Sequence, residues 1–187
     1  MVLGILSDTH GHARRTAAAV RLLEQLGAEA FVHCGDIGSP DVLDELAGRR
    51  AWVALGNTDW EEMNLAAYGA ALGLVVGRTV PLRFELAGHG IAVFHGHEPQ
   101  FAALLDDTPA TAAYRAGLQA CKYVLYGHRH VAADARLGPW RLINPGALYR
   151  ASAHTVATLD LERDMVQFWR VFDDASSHAA PTRFHAD

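Results

Sequence analysis

The sequence has few cysteines, no excess of positive charge and no long apolar run, and each shortage excludes a class of protein. Two cysteines, Cys34 and Cys121, are too few for a disulfide framework, so a cytoplasmic location is expected. The 16 lysines and arginines are outnumbered by 21 acidic residues and form no basic stripe, which argues against an extended nucleic-acid partner. No apolar run approaches the roughly 18 residues of a membrane span, so no membrane partner is expected.

The chain length and composition are those of one globular domain. Its 187 residues are half hydrophobic and one-fifth charged, which is enough to bury a sizeable core. We predict a single domain over residues 1–172. Residues 173–187 are small, polar and histidine-bearing, and we expect them to form a flexible C-terminal tail.

Short apolar runs alternate with segments of helical periodicity in the first third of the chain. Strands are predicted over 2–6, 30–33 and 51–55, and helices over 13–26, 39–47 and 61–71. Further strands are predicted over 80–86, 91–94, 123–126, either side of Gly138-Pro139, 155–161 and 165–172, with a hairpin turn at His89-Gly90 and a broken helical stretch over 99–119. This order predicts an α/β fold, a layered α-β-β-α sandwich of two mixed sheets flanked by helices.

The first strand is followed directly by residues whose side chains can bind metal ions. Asp8 and His10 are two positions apart just beyond the buried run 2–6. In an extended conformation such positions point the same way, so the two side chains would converge as a pair of divalent-metal ligands. The alternative is a polar turn in which Asp8 or Thr9 caps the next helix.

Four other predicted strands end in the same manner, each beside a glycine. The residues at these ends are Asp36, Asn57, His95 with His97, and His128 with His130. Ligand sites in open α/β sheets gather at the carboxyl ends of strands, so all five sets are expected to meet at one edge.

These motifs resemble those of the calcineurin-like metallophosphoesterases. They read here as Asp8-Thr9-His10, Gly35-Asp36, Gly56-Asn57-Thr58-Asp59, His95-Gly96-His97 and Gly127-His128-Arg129-His130, with Asn144-Pro145-Gly146 after the last pair. The compact length is similar to that of the small single-domain bacterial and archaeal phosphodiesterases. The resemblance covers residues 1–172 and implies the fold and activity of that branch.

The resemblance also implies a division of labour among the ligands. Asp8, His10 and His130 would hold one metal ion, Asn57, His95 and His128 a second, and Asp36 would bridge the two. The mixed imidazole and oxygen set suits two divalent transition-metal ions, Mn²⁺ first, with Fe, Zn or Ni as alternatives. In the family, such ions lie about 3.5–4 Å apart and hold a bridging hydroxide that attacks the phosphorus atom.

Catalytic and substrate-binding roles follow from the same resemblance. Asp36 and Asn57 count as catalytic residues as well as ligands, and Asn57, His97 and Arg129 are expected to contact the substrate. Thr58 stands where many members have a general-acid histidine, so Asp59, His97 or a metal-bound water would have to protonate the leaving group. His97 has the alternative of a loop residue, and Arg129 that of a side chain turned away from the phosphate.

Hydrolysis of small phosphodiesters by a monomer or small homo-oligomer is the leading interpretation, and three alternatives remain. The same metals could serve a phosphomonoesterase or a cyclic-nucleotide diesterase, with Trp60 as a stacking surface for a nucleotide. The third is a non-catalytic scaffold, as this fold provides in the retromer complex, with the apolar stretch 65–76 as a partner surface.

Overall fold

Two β-sheets packed face to face form the centre of the protein in a computed structural model that describes residues 1–60, 64–77, 79–172 and 181–185. In chain order the elements are β1 (Val2–Leu6), α1 (Ala13–Gln25), β2 (Ala28–His33), α2 (Pro40–Asp44), β3 (Ala51–Val53), α3 (Leu65–Ala71), β4 (Val75–Val76), β5 (Leu82–Leu86), β6 (His89–Val93), α4 (Pro99–Leu105), α5 (Ala112–Ala116), β7 (Cys121–Leu125), β8 (Ala132–Leu137), β9 (Trp140–Pro145), β10 (Thr155–Asp160), β11 (Met165–Arg170) and β12 (Arg183–Phe184). No helix among these described residues is long and apolar enough to cross a membrane.

Both sheets are mixed, as the sequence predicts. The first has the strand order β12-β11-β10-β1-β2-β3-β4, with β1 to β4 parallel and β10 antiparallel to β1. The second has the order β5-β6-β7-β9-β8, in which β6, β7 and β9 are parallel and the edge strands antiparallel. All five predicted site-bearing strands are therefore parallel to a neighbour that also bears site residues.

Three apolar layers hold the sheets and helices together. The layer between the two sheets takes inward-facing residues from both, such as Ile5 and Val32 from the first and Ile91 and Leu125 from the second. A second layer packs α1, α2 and α3 on the outer face of the first sheet. A third packs α4 on the outer face of the second sheet, and the α-β-β-α sandwich is confirmed.

Local sequence signals explain most element boundaries. β1 is an apolar run buried on both faces, which suits a central strand of a covered sheet. Gly27, with φ +85°, follows the end of α1, and Pro40 begins α2. α2 ends at Asp44, earlier than expected.

Several boundaries differ from the expectation. The turn predicted at His89-Gly90 is wrong, because β5 and β6 are joined by Ala87 and Gly88 while Leu86 pairs with His89. The predicted start of the third helix falls on 61–63, outside the described residues, and α3 begins at Leu65. Of the predicted tail, residues 173–180 and 186–187 are also outside the described residues, whereas Arg183–Phe184 form β12 against β11.

Candidate metal centre

The predicted site residues follow the carboxyl ends of five strands, three from one sheet and two from the other. Asp8 and His10 follow β1, Asp36 follows β2 and Asn57 follows β3. The histidine pairs follow β6 and β7 in the second sheet, so the cluster straddles the seam between the sheets. This arrangement follows from the parallel direction of these strands within each sheet.

One group of potential ligand atoms joins the first sheet to the second. Atoms of Asp8, His10 and His130 lie within 4.8 Å of one another. The Nε2 atom of His130 is 3.1 Å from Oδ1 of Asp8, and the Asp8 carboxylate also accepts the backbone N–H of His128 at 3.0 Å. Asp8 is completely buried, so its carboxylate is surrounded by these donors rather than by bulk solvent.

A second group shares Asp8 and adds Asp36 and His95, again within 4.8 Å. Nε2 of His10 lies 3.4 Å from Oδ2 of Asp36, and Nε2 of His95 lies 3.4 Å from its Oδ1. The two oxygens of one carboxylate therefore face different histidines. This arrangement would allow the carboxylate to contact two metal ions.

The convergence of Asp8 and His10 has a different cause from the one the sequence indicates. Both are in the left-handed region, with φ +54° and +44°, and not in extended backbone. Asp36, His128 and His130 have φ +56°, +65° and +56°. Non-glycine residues adopt this region at a cost of about 1–2 kcal/mol each, so the surrounding hydrogen bonds must hold these loops in place.

Backbone carbonyls fix the orientation of two imidazoles. Nδ1 of His95 donates to the carbonyl of Cys34 at 2.8 Å, and Nδ1 of His130 faces the carbonyl of Arg150 at 3.3 Å. A hydrogen on Nδ1 leaves Nε2 of the neutral ring with a free lone pair. Both Nε2 atoms point at the carboxylates, so the lone pairs of both rings face the centre of the cluster.

Two carboxylates that are not in the predicted ligand set brace the loops. Both oxygens of Glu98 accept backbone N–H groups, from His95 at 2.7 Å and Gly96 at 2.6 Å. Both oxygens of Asp59 likewise accept amides, from Gly38 at 2.9 Å and Gly56 at 2.8 Å. Glu98 was not singled out from the sequence, and its place before Pro99 at the start of α4 is the signal that could have found it.

Burial and charge shift the acidity of the cluster. Burial alone would raise the pKa of Asp36, but the approach of His95 and the Thr58 amide hold it below its usual range. Burial lowers the pKa of His10. Burial would also lower the pKa of His95, but the interaction of His95 with Asp36 outweighs burial and raises that pKa. Burial raises the pKa of Asp59.

The chemistry of the cluster fits a pair of divalent transition-metal ions. Nε2 of His10 and Nε2 of His95 are buried, and neither has a hydrogen-bond partner among the described residues. Such atoms are costly unless something else binds them. Imidazole nitrogens beside carboxylate oxygens are the donors that Mn, Fe, Zn and Ni share.

The remaining predicted site residues lie at the rim. His97 is half-exposed, and its ring centre is 5.3 Å from that of His95 and 6.0 Å from that of His128. Asn57 and Arg129 are exposed, on the loops that follow β3 and β7. Tyr149, which the sequence did not indicate, packs against two histidines. Its ring centre is 5.2 Å from that of His10 and 4.7 Å from that of His12, and no local motif predicts this long-range contact.

The sequence profile of the calcineurin-like phosphoesterase superfamily domain matches residues 1–164, most of the chain. The chain belongs to this superfamily. One relative, phosphodiesterase MJ0936 of Methanocaldococcus jannaschii, is 26% identical over 167 residues, which cover 87% of this chain and 95% of the relative.

Solved structures agree with the family assignment at the level of the fold. A structure described as a novel archaeal phosphodiesterase has a TM-score of 0.76 at 24% identity and covers 91% of this chain and 100% of that chain. A variant of Vps29 from Entamoeba histolytica has a TM-score of 0.60 at 17% identity and covers 99% of this chain and 100% of that chain. Both the phosphodiesterase and Vps29 therefore share the architecture of this chain.

Proposed function

We propose that the chain is a dinuclear-metal phosphoesterase that hydrolyses phosphodiester bonds of small substrates. The observation that carries the proposal is the Asp36 carboxylate, whose two oxygens each face a different buried histidine nitrogen at 3.4 Å. The similarity to phosphodiesterase MJ0936 favours diesters over monoesters. Manganese is the first candidate metal.

In this proposal, seven side chains hold the two ions. They are Asp8, His10 and His130 for the first ion, Asn57, His95 and His128 for the second, and Asp36 for both. Two divalent ions there would polarise the phosphoryl oxygens and lower the pKa of a water molecule. The chain supplies a rigid, partly buried frame that fixes where the phosphate binds.

The leaving group needs a proton, and the contacts favour His97 as its source in the chain. Both oxygens of Asp59 accept backbone amides, so Asp59 braces its loop. His97 is half-exposed at the rim, beside His95 and His128. Without a histidine at Thr58, substrates with good leaving groups should be the better ones.

A small nucleotide is a substrate candidate. Trp60 is 63% exposed and follows Asp59 directly, so its ring is available to stack on a base near the phosphate site. Arg129, exposed between His128 and His130, would bind the phosphate oxygens that the metals leave free.

Two artificial substrates with the same good leaving group, a phosphodiester and the matching phosphomonoester, test the proposal. The metal-free protein is assayed on each with and without added Mn²⁺. We expect metal-dependent turnover of the diester and little of the monoester. Asp36→Asn, which removes the charge but keeps the shape of the bridging side chain, should lose most of the activity, at least about 100-fold.

The other outcomes separate the alternatives. Preference for the monoester would indicate a phosphatase with the same metals. Normal turnover by Asp36→Asn would contradict the two-metal centre. No turnover of either substrate with two ions bound would favour a non-catalytic scaffold of the same fold.

A further inference from the structure

Two buried polar residues outside the proposed ligand set connect the first two site loops. Thr9 lies between Asp8 and His10, and His33 is the last residue of β2, three positions before Asp36. Both Thr9 and His33 have no solvent-exposed surface. Their polar atoms therefore act only on neighbouring protein groups.

The hydrogen bonds between them have a single consistent direction. Nδ1 of His33 accepts the backbone N–H of Gly35 at 3.1 Å, so the neutral ring carries its hydrogen on Nε2. Nε2 donates to the hydroxyl of Thr9 at 3.0 Å. The hydroxyl then donates to the carbonyl of Ile37 at 3.0 Å, with that of Asp36 at 3.3 Å. Every donor in this series of hydrogen bonds has an acceptor.

These hydrogen bonds join the loop after β1 to the loop after β2. The loop after β1 also pairs with the loop after β2 through the amide of Asp8, which donates to Gly35, and the amide of His10, which donates to Asp36. Within the same turn, the carbonyl of Cys34 accepts from His95. Displacement of the turn after His33 would thus move the bridging carboxylate and a histidine of the second sheet together.

The connection acts on strained backbone. Asp8, His10 and Asp36 are all in the left-handed region, which a polar loop would leave if it were free to relax. The Thr9 hydroxyl donates to backbone carbonyls of the loop after β2, whereas the backbone of Thr9 belongs to the loop after β1. The side-chain pair therefore adds to the backbone hydrogen bonds that hold the two loops together.

We propose that Thr9 and His33 are positioning residues that set the separation of Asp8 and His10 from the bridging carboxylate of Asp36. The proposal rests on the metal centre proposed above and deepens it. Neither residue touches metal or substrate, and both act through the loops they join. Their contribution is measured by metal affinity and by the coupling between the two ions.

Thr9→Val removes the hydroxyl and keeps the side-chain shape, so it is the first variant to test. Titration calorimetry of the metal-free protein with Mn²⁺ should show affinity reduced by about 10–100-fold. Thr9→Ser retains the hydroxyl and should restore most of the affinity. Thr158→Val is the matched control, because Thr158 is a buried threonine whose hydroxyl accepts Trp169 Nε1 on a strand pair away from the site.

Electron paramagnetic resonance supplies a readout that loss of stability would not mimic. Two Mn²⁺ ions held by one carboxylate give a spin-coupled signal, and Thr9→Val should weaken it at full occupancy, whereas Thr158→Val should not. His33→Gln, whose amide nitrogen can still donate to Thr9, should retain more affinity than Thr9→Val. If Thr9→Val does not fold, His33→Gln still tests the hydrogen bond between His33 and Thr9.

The outcomes distinguish this inference from the proposed function. If the unmodified chain binds two Mn²⁺ ions and Thr9→Val binds them equally well with the same coupling, the positioning role is overturned and the metal centre stands. Equal loss in Thr158→Val would overturn it as well. If the unmodified chain binds no Mn²⁺, both proposals fail.

Discussion

At the scale of single residues, the turn Gly35-Asp36 shows how little freedom the centre has. Gly35 has φ +99°, where a side chain is strained, and a Cβ atom there would lie 2.7 Å from Nδ1 of His95. That nitrogen is the one that donates to Cys34. A methyl group at Gly35 would therefore disturb the backbone and the histidine at once.

Gly35→Ala should destabilise the protein by about 1–3 kcal/mol from backbone strain, and it should also weaken Mn²⁺ binding. Urea unfolding and metal titration measure the two effects separately. Gly138→Ala is the matched control, because Gly138 has φ +54° in a hairpin turn with nothing within 4 Å of its added Cβ. The control should lose stability alone. Unchanged metal affinity in Gly35→Ala would show that His95 is not confined by this turn.

The proposed ligands could be predicted from the sequence because they fall in five short motifs, each of which contains or adjoins a glycine and follows an apolar strand. Other contributors could not. Tyr149 is far from His10 in the sequence but contacts it in the fold. Thr9 hydrogen-bonds with His33 only after β1 and β2 lie side by side. Such contacts arise from tertiary packing, which no local pattern encodes.

At the scale of elements, most strands followed from apolar runs, while the two-residue strands β4 and β12, the turns and the helix ends did not. Ala87 adopts φ +50° in the two-residue turn between β5 and β6, a conformation that residue rules assign to glycine or asparagine. Those rules moved the prediction to His89-Gly90. Strand pairing overrides the preference, because Leu86 and His89 are opposite each other in the ladder.

The second sheet is tied to the β10–β11 hairpin by an ion-pair cluster far from the metal centre. Arg141 on β9 binds Asp164 in the hairpin turn at 2.6 Å and Asp134 on β8 at 2.6 Å. Hydrogen bonding to Asp134 raises the pKa of Arg141 further. Burial would raise the pKa of Asp164, but its bonds to Arg141 and Arg136 hold it below the usual range.

This cluster predicts a pH-dependent stability. The depressed pKa of Asp164 contributes stability that is present above the unfolded-state pKa of about 4 and is lost as the pH falls below it. Asp164→Asn suits the left-handed backbone there, with φ +50°, and should cost about 1–2 kcal/mol at pH 7. Urea unfolding of both proteins across pH should show the difference shrinking in acid.

A neighbouring arginine provides the control for that measurement. Arg136 also reaches Asp164, at 3.2 Å, but its side chain is 65% exposed. Arg136→Gln should therefore change the free energy of unfolding only slightly, in line with exposed ion pairs. A difference for Asp164→Asn that stayed constant down to pH 2 would contradict the ionic origin of the effect.

At the scale of the whole molecule, the proposed centre joins the two sheets. Four of its side chains belong to loops of the first sheet and three to loops of the second. Ions bound there would add a further link between the sheets, which the apolar layer and the Arg141–Asp164 ion pair also join. Binding to the folded state alone raises its stability by mass action.

Added Mn²⁺ should therefore raise the free energy of unfolding, by about 2.7 kcal/mol for one site at a hundredfold excess over its dissociation constant. Urea unfolding with Mn²⁺, compared with the chelator-treated protein, measures the change. Asp36→Asn should gain much less than the unmodified chain. An equal gain in both would mean that the ions bind elsewhere.

The order of the strands along the chain has a consequence for biosynthesis. The last proposed ligand, His130, is made before β10, the strand that lies beside β1 and begins the antiparallel half of the first sheet. At about 5–20 residues per second, a ribosome needs a few seconds to go from His130 to the end of β10. A newly made chain thus carries every proposed ligand before β10 pairs with β1, so an ion bound at that stage would contact loops that the first sheet does not yet hold in place.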